Sequence, residues 1–281
     1  MRDKKVLTIQ DVSCYGQCSL TVALPIISAC GIETAILPSA VLSTHTGGFT
    51  GYTFRDLTND IPDIAKHWQK ENIKFDTIYT GYLGSKEQIA YVKDIMDTLL
   101  TEDGVRVVDP AMADHGKLYY GFDEDFVKEM ASLCSVADVI LPNITEACFM
   151  TNTEFKEHGE YDEEYILDLL GKLGDMGCKT VVLTGVTYTG ENLGVAVYEC
   201  ATKKIEYYFH QRISRNSHGT GDVYSSSFCG AFTRGFDVLE SAKIAADFTV
   251  DSILQTIDDN DHWYGVKFEK SIPLLISMLN K

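Results

Sequence analysis

One stretch decides the fold class: residues 76–108 read DTIYTGYLGSKEQIAYVKDIMDTLLTEDGVRVV. Strand-like runs at Asp76–Tyr79 and Val105–Val108 enclose residues 85–101, where apolar side chains recur at helical spacing. That spacing places five of them on one helix face: Ile89, Val92, Ile95, Met96 and Leu99. Two strands joined by a helix form the β-α-β unit of a parallel sheet.

The same alternation extends in both directions from this stretch. Further strands are predicted at Val6–Gln10, Thr34–Leu37, Asp138–Leu141 and Thr180–Leu183, and further helices at 18–29, 60–71, 123–134 and 163–176. Gly194–Glu199 and Lys204–His210 read as an antiparallel pair at one sheet edge. Three helices, at about 221–234, 238–256 and 268–279, close the chain. We expect an α/β fold with a mainly parallel sheet, in a single domain over residues 1–281.

The charge balance bears on the partners of the protein. The chain has 41 acidic against 24 basic residues, a formal net charge of −17. Such a surface repels nucleic acids and anionic membranes, so we expect neither as a partner. Phosphates would have to be bound in a local pocket. The eight cysteines show no zinc-site spacing and are expected to be reduced thiols of a cytoplasmic protein.

The strongest local signal is Gly219-Thr220-Gly221-Asp222, followed by a run of small and apolar residues that predicts a buried helix. Glycines let the backbone turn tightly, and a helix N-terminus attracts anions, so the motif is typical of a phosphate-binding anion hole. The Asp222 carboxylate could take a proton from a substrate hydroxyl. The alternative is an ordinary helix start, with Thr220 as its cap and Asp222 complementing the helix dipole.

Polar residues follow two neighbouring predicted strands. Asp109 comes directly after Val105–Val108, and Asn143 and Glu146 come after the strand that ends at Leu141. Carboxylate and amide oxygens at the carboxyl ends of strands suit Mg²⁺ that is held largely through water. The alternatives are a turn residue for Asp109 and a helix cap for the other two residues.

These motifs, in this chain order, resemble the ribokinase-like superfamily. Further segments resemble its pyridoxal/pyridoxamine kinases, and the match runs from about residue 5 to about 255. The segments are Ile9-Gln10, Tyr15-Gly16, Ser43-Thr44-His45-Thr46-Gly47, Thr80-Gly81-Tyr82-Leu83-Gly84 and Val108-Asp109-Pro110-Ala111-Met112. The resemblance implies a three-layer α/β/α fold and ATP-dependent phosphorylation of the 5′-hydroxymethyl group of a vitamin B6 vitamer. It also implies a homodimer, ATP and Mg²⁺, with K⁺ as a further candidate ion.

The resemblance also implies roles for single residues. Asp222 would be the catalytic base, and Gly219, Thr220 and Gly221 the anion hole. The vitamer would be bound by Asp11, Ser13, His45, Thr46, Tyr82 and Tyr119, the last in a flexible flap. For His45, a buried structural role is the alternative. ATP would be bound by Asn143, Glu146, Thr184, Gly185, Gly219 and Gly221. Mg²⁺ would be held through water by Asp109 and Glu146.

Two departures keep the substrate open. Asp11 stands where pyridoxal kinases usually have Ser, and a carboxylate there could pair with a protonated ring nitrogen or be only a turn residue. His218 precedes the anion hole as in hydroxymethylpyrimidine kinases of thiamine synthesis, so a pyrimidine or dual-specificity kinase is the alternative. A flat ring is favoured over a sugar by four loop residues: His45, Thr46, Phe49 and Tyr82. A non-catalytic vitamer-binding protein is the alternative from another class.

Overall fold

The computed structural model describes residues 3–213 and 217–280, which form eleven strands and nine helices. The strands are β1 (Lys5–Ser13), β2 (Glu33–Leu42), β3 (Phe54–Asp56), β4 (Phe75–Thr80), β5 (Leu100–Val108), β6 (Ala113–Asp114), β7 (Lys117–Leu118), β8 (Val139–Ile140), β9 (Thr180–Val186), β10 (Asn192–Glu199) and β11 (Lys204–Gln211). The helices are α1 (Leu20–Ala29), α2 (Ile61–Lys70), α3 (Lys86–Leu99), α4 (Glu124–Cys134), α5 (Ile144–Thr151), α6 (Glu163–Asp175), α7 (Thr220–Arg234), α8 (Val238–Leu254) and α9 (Phe268–Leu279).

The chain divides into two compact units. The first contains the described residues up to Gly104 and from Ile213 onward, and the second contains Val105–Arg212. In the first unit the strand order is β4-β1-β2-β3. β1 pairs in parallel with both β4 and β2, and β3 is antiparallel at the edge. A single domain over residues 1–281 stays a prediction.

In the second unit the strand order is β11-β10-β9-β8-β5. β5, β8 and β9 are parallel, whereas β10 is antiparallel to both β9 and β11. This confirms the antiparallel pair that was predicted next to mainly parallel strands. β6 and β7 form a separate small hairpin.

Packing of the first unit fixes the position of α7. β1 is almost wholly buried, as expected for a central parallel strand. Most of α7 is buried as well, and small residues allow its neighbours to approach closely. Gly230 lies against Cys30 and the backbone of α1, where a Cβ atom would be 2.4 Å from the cysteine sulfur. The start of α7 is therefore held by a tightly packed helix pair.

Several element boundaries differ from those predicted. The helix expected over 85–101 ends at Leu99, and β5 begins at Leu100, five residues earlier than predicted. Residues 101–104 (Thr-Glu-Asp-Gly) carry no large apolar side chain, so the apolar run from Val105 marked only the second half of β5. β1 and β2 extend beyond their apolar runs to Ser13 and Leu42. β3 and the β6–β7 hairpin were not predicted, because short strands carry almost no periodic signal.

Candidate active site

The start of α7 leaves backbone donors available. Side chains of the N-cap residues accept backbone N–H groups at the starts of α3, α4, α5, α6 and α8. Among the described residues, no side chain caps Gly219, the N-cap of α7, and the N-cap side chains of α1, α2 and α9 form no such bond either. The first N–H groups of a helix have no partner within the helix. These donors and the helix dipole can bind an anion, and the alternative of Thr220 as the cap is not what the structure shows.

Gly219 is required at this turn for two reasons. Its φ of +74° lies in the left-handed region that favours glycine. A Cβ atom at this position would also collide with the carbonyl oxygen of Gln17, and it would lie 3.4 Å from the Cys18 sulfur. The loop before α1 therefore packs directly beneath the anion-binding turn.

Asp222, in the first turn of α7, is a partly buried carboxylate. Burial raises its pKa to about 7, and the negative charge of Asp11 acts in the same direction. The backbone N–H of Ser19 donates a hydrogen bond to the carboxylate and opposes part of this rise. A carboxylate whose pKa is near neutrality can accept a proton from a hydroxyl group and release it again at neutral pH.

Asp11 lies at the end of β1, where the β1–β2 register shifts between Gln10 and Val12. Such irregularities redirect side chains, often next to active sites. Asp11 is only 5% exposed, and burial raises its pKa despite hydrogen bonds from the Ser13 and Ser19 hydroxyls. The Ser13 Oγ–Asp11 Oδ2 distance is 2.9 Å.

Ser19 connects the two carboxylates. Its backbone N–H bonds to Asp222 and its hydroxyl to Asp11, and its φ is +56°, which is unusual for a residue with a side chain. The Cys18 thiol beside it has a pKa well above its usual value, because of burial and the charges of Asp222 and Asp11. Cys18 is therefore a neutral thiol at physiological pH.

Tyr82, a further predicted vitamer residue in the first unit, lies close enough to Asp11 to feel its charge. Burial raises the pKa of Tyr82 to about 12, with the charges of Asp11 and Tyr52 as further causes. Tyr82 follows β4, the strand paired with β1. Tyr82 is thus a hydroxyl donor throughout the physiological pH range.

His45 is held as a neutral imidazole. Its Nδ1 accepts the Gly47 N–H at 3.1 Å, so its Nε2 carries the proton and donates to the Tyr264 carbonyl at 2.8 Å. Burial lowers its pKa, consistent with this tautomer. Its ring lies 5.3 Å from that of His218, the residue before the anion-binding turn. Thr46, next to it, is exposed.

In the second unit, Asn143 and Glu146 form a capping box at the start of α5. Asn143 Oδ1 accepts the Glu146 N–H, and Glu146 Oε2 accepts the Asn143 N–H, both at 2.9 Å. Asn143 also forms a bridge to Thr184, whose N–H donates to the Pro142 carbonyl. The helix-cap alternative therefore describes the structural role of this pair, and the structure brings Thr184 to it.

Glu146 is only 2% exposed, and burial together with the charge of Asp109 raises its pKa well above the usual range. Its Oε1 accepts the Met112 N–H at 3.1 Å. Within residues 3–213 and 217–280, no group of three or more His, Cys, Asp or Glu side chains is arranged to hold a metal. Two mutually repelling carboxylates do fit a Mg²⁺ that keeps most of its water and is bound to phosphates.

Two other predicted site residues of this unit are Gly185 and Tyr119. Gly185 has a φ of +80° and open space where a Cβ atom would lie. Tyr119 is 40% exposed directly after β7, and its N–H donates to the Met112 carbonyl at 2.8 Å. The β6–β7 hairpin before it is tied to α5 by a hydrogen bond from the Gly116 N–H to Thr145.

A family model described as phosphomethylpyrimidine kinase matches residues 28–266. The chain belongs to the phosphomethylpyrimidine kinase family. A candidate phosphomethylpyrimidine kinase of Bacteroides thetaiotaomicron, solved in a crystal form with pyridoxal, is 34% identical. Its TM-score is 0.91, and the similarity covers 98% of this chain and 96% of that one.

Pyridoxal kinases are also among the relatives of this family member. The structure of pyridoxal kinase from Lactobacillus plantarum is 29% identical, with a TM-score of 0.89, and 98% of this chain and 97% of that chain are covered. The pyridoxal kinase of Dictyostelium discoideum is 26% identical over 243 residues, 81% of this chain and 78% of that protein. The predicted ribokinase-like α/β fold and the resemblance to B6 kinases are confirmed, and membership of a kinase family implies the use of ATP.

The structure gathers the predicted residues within each unit. In the first unit the carboxylates of Asp11 and Asp222 form a pair, with Ser13 and Tyr82 beside Asp11. His45 lies next to His218 at the anion-binding turn. In the second unit Asp109, Asn143, Glu146 and Thr184 lie together. Sequence reasoning missed Ser19 and Gln17, since their roles depend on backbone groups that no motif reveals.

None of the helices among the described residues is long and apolar enough to cross a membrane.

Proposed function

We propose that this protein transfers the γ-phosphoryl group of ATP to the 5′-hydroxymethyl group of a vitamin B6 vitamer: pyridoxal, pyridoxamine or pyridoxine. The observation that carries the proposal is the uncapped start of α7 with Asp222 in its first turn. The N–H groups of Thr220 and Gly221, at this helix start, would bind the transferred group. Asp222, with a pKa of about 7, would take the proton of the attacking hydroxyl.

In this proposal the first unit recognises the acceptor. Asp11 and Ser13 would bind the ring nitrogen or the 3-hydroxyl side of the vitamer, and Tyr82, His45 and Thr46 would line its ring. A buried carboxylate favours an acceptor that carries a proton on nitrogen, because the positive charge offsets the cost of burying Asp11. The carboxylate in place of the usual Ser thus supports preference for cationic forms of the acceptor.

The second unit would handle the nucleotide. Asn143, Thr184 and Gly185 would contact the phosphates, and Asp109 and Glu146 would hold Mg²⁺ through water. Bound Mg²⁺ would offset the charge of the phosphate oxygens. Glu146 is already fixed by backbone N–H groups, so its carboxylate would orient metal-bound water and not move on binding. Tyr119 would belong to a flap that excludes water from ATP.

A hydroxymethylpyrimidine kinase is the second candidate. The description of the matching family model and His218 before the anion-binding turn favour it. The transferred group, the Asp222 base and the anion hole would be the same for both substrates. Only the residues around Asp11 would contact a different ring in the two cases.

The test measures ADP release with Mg-ATP and a panel of pyridoxal, pyridoxamine, pyridoxine, hydroxymethylpyrimidine and ribose. We expect turnover of at least one B6 vitamer, and loss of that turnover in Asp222→Asn. Turnover of the pyrimidine alone would select the second candidate. If a vitamer binds but no acceptor in the panel causes ADP release from ATP, the result would instead support a non-catalytic binding protein.

A further inference from the structure

The loop between α8 and α9, residues 255–267, is hydrogen-bonded to the segment that packs against the anion-binding turn. The Tyr264 carbonyl accepts the Gln17 N–H as well as the His45 Nε2–H. The His262 Nε2 and Gln17 Oε1 atoms are 2.8 Å apart. Gln17 is the residue whose carbonyl packs against Gly219. One residue thus connects the α8–α9 loop to the turn that precedes Asp222.

The same loop carries aromatic rings that pack against two other loops of the first unit. The Trp263 ring centroid lies 4.6 Å from that of Phe49, and Tyr264 lies 5.0 Å from Tyr15. Gly48 lets the indole approach the backbone, because a Cβ atom there would be 2.8 Å from Trp263. We call Tyr15, Phe49, Trp263 and Tyr264 the aromatic wall.

The aromatic wall is anchored on one side and open on the other. Trp263 is 44% exposed and Tyr15 is 53% exposed, although each packs against another ring. The Phe49 ring lies 4.9 Å from His45, the neutral imidazole that borders His218. The wall therefore continues, ring by ring, from the anion-binding turn to open solvent.

Half-exposed, rigidly held aromatic faces beside a group-transfer site are suited to stacking with a flat ligand. We propose that the aromatic wall is part of the acceptor site and that Trp263 stacks with a flat heteroaromatic alcohol. This inference deepens the proposed function and rests on it. It makes Trp263 a specificity residue that favours heteroaromatic acceptors over polyols, since a sugar offers no ring face to stack.

The chain offers a direct optical test, because it contains only two tryptophans, Trp68 and Trp263. Trp68 lies in α2 and packs on Phe75, with ring centroids 5.7 Å apart. In Trp68→Phe, Trp263 is the sole indole, and we expect saturable fluorescence quenching by pyridoxal or pyridoxamine without nucleotide. In Trp263→Phe, Trp68 should report only the non-saturating light absorption by the ligand. Equal curves for the two variants, or no quenching in either, would overturn the inference.

Turnover gives a second measurement. Trp263→Ala should raise KM for the heteroaromatic acceptor about tenfold and change kcat and KM for ATP less than twofold, while Trp263→Phe should recover most of the loss. An unchanged acceptor KM in a folded Trp263→Ala protein would overturn the inference while leaving the proposed function intact. If the wild type phosphorylates neither vitamer nor pyrimidine, the proposed function fails. The Trp68→Phe titration then still decides whether the wall binds a flat ring.

Discussion

Replacing Asp222 with Asn should stabilise the protein while it abolishes catalysis. The pKa of Asp222 is raised from 3.8 to about 7, so the folded state binds its proton more tightly than the unfolded state does. The contribution of Asp222 to the free energy of unfolding is therefore fully present below about pH 4 and is lost as the pH rises towards 7. At about 1.4 kcal/mol per unit of pKa shift, the free energy of unfolding of the wild type falls by roughly 4 kcal/mol by pH 8. This is an upper limit, because rearrangement around the ionised carboxylate would reduce the loss.

Asparagine cannot ionise, so Asp222→Asn escapes this loss. Its advantage in free energy of unfolding should grow by about 3 kcal/mol between pH 5 and pH 8, equivalent to several degrees in Tm. Thermal and urea unfolding of both proteins at pH 5, 6, 7 and 8, without nucleotide, measure it. The matched control is Asp237→Asn at the exposed start of α8, where Asn caps as well as Asp, so the difference should stay small at every pH. An advantage of Asp222→Asn that does not grow with pH would refute the reasoning.

Further predictions concern the same two units. Asp11→Asn removes a like charge, so the pKa of Asp222 should fall and the acidic limb of the kcat/KM–pH profile should move to lower pH. In the wild type, activity should decline as the pH falls below about 7, because the base becomes protonated. Gly219→Ala should lower Tm and reduce kcat at least 100-fold, whereas Gly221→Ala, which has open space and an ordinary φ, should not lower Tm. Glu146→Gln should raise the Mg²⁺ concentration needed for half-maximal ADP release at least tenfold, while the stability in urea unfolding should not fall, because Gln can take the same place in the capping box and carries no buried charge.

Sequence motifs indicated candidate site residues of this chain, but not the packing that holds them in place. The Gly219–Asp222 turn was predicted because glycines and a following run of small residues have a direct physical meaning. Ser19 could not be predicted, since a left-handed serine has no sequence signature and its backbone N–H is invisible in a motif. Trp263 could not be assigned either, because its partner Phe49 is distant in sequence and only packing brings the rings together. The predicted start of β5 was wrong because residues 101–104 of this strand are polar or glycine and give no apolar strand signal.

The raised pKa of Asp222 reduces the electrostatic repulsion between this acidic protein and a bound polyphosphate. A chain with a net charge of −17 has to bind a polyphosphate, and a fully ionised carboxylate in the first turn of α7 would repel it. Near pH 7 the carboxylate is about half protonated, so the repulsion is reduced while enough base remains to accept a proton. The charge of Asp11, held by the same serine, maintains this balance. Asp222→Asn should therefore bind ATP more tightly than the wild type at pH 8 and equally at pH 5, as measured by calorimetry. Equal affinity at both pH values would show that the anion hole and the base act independently.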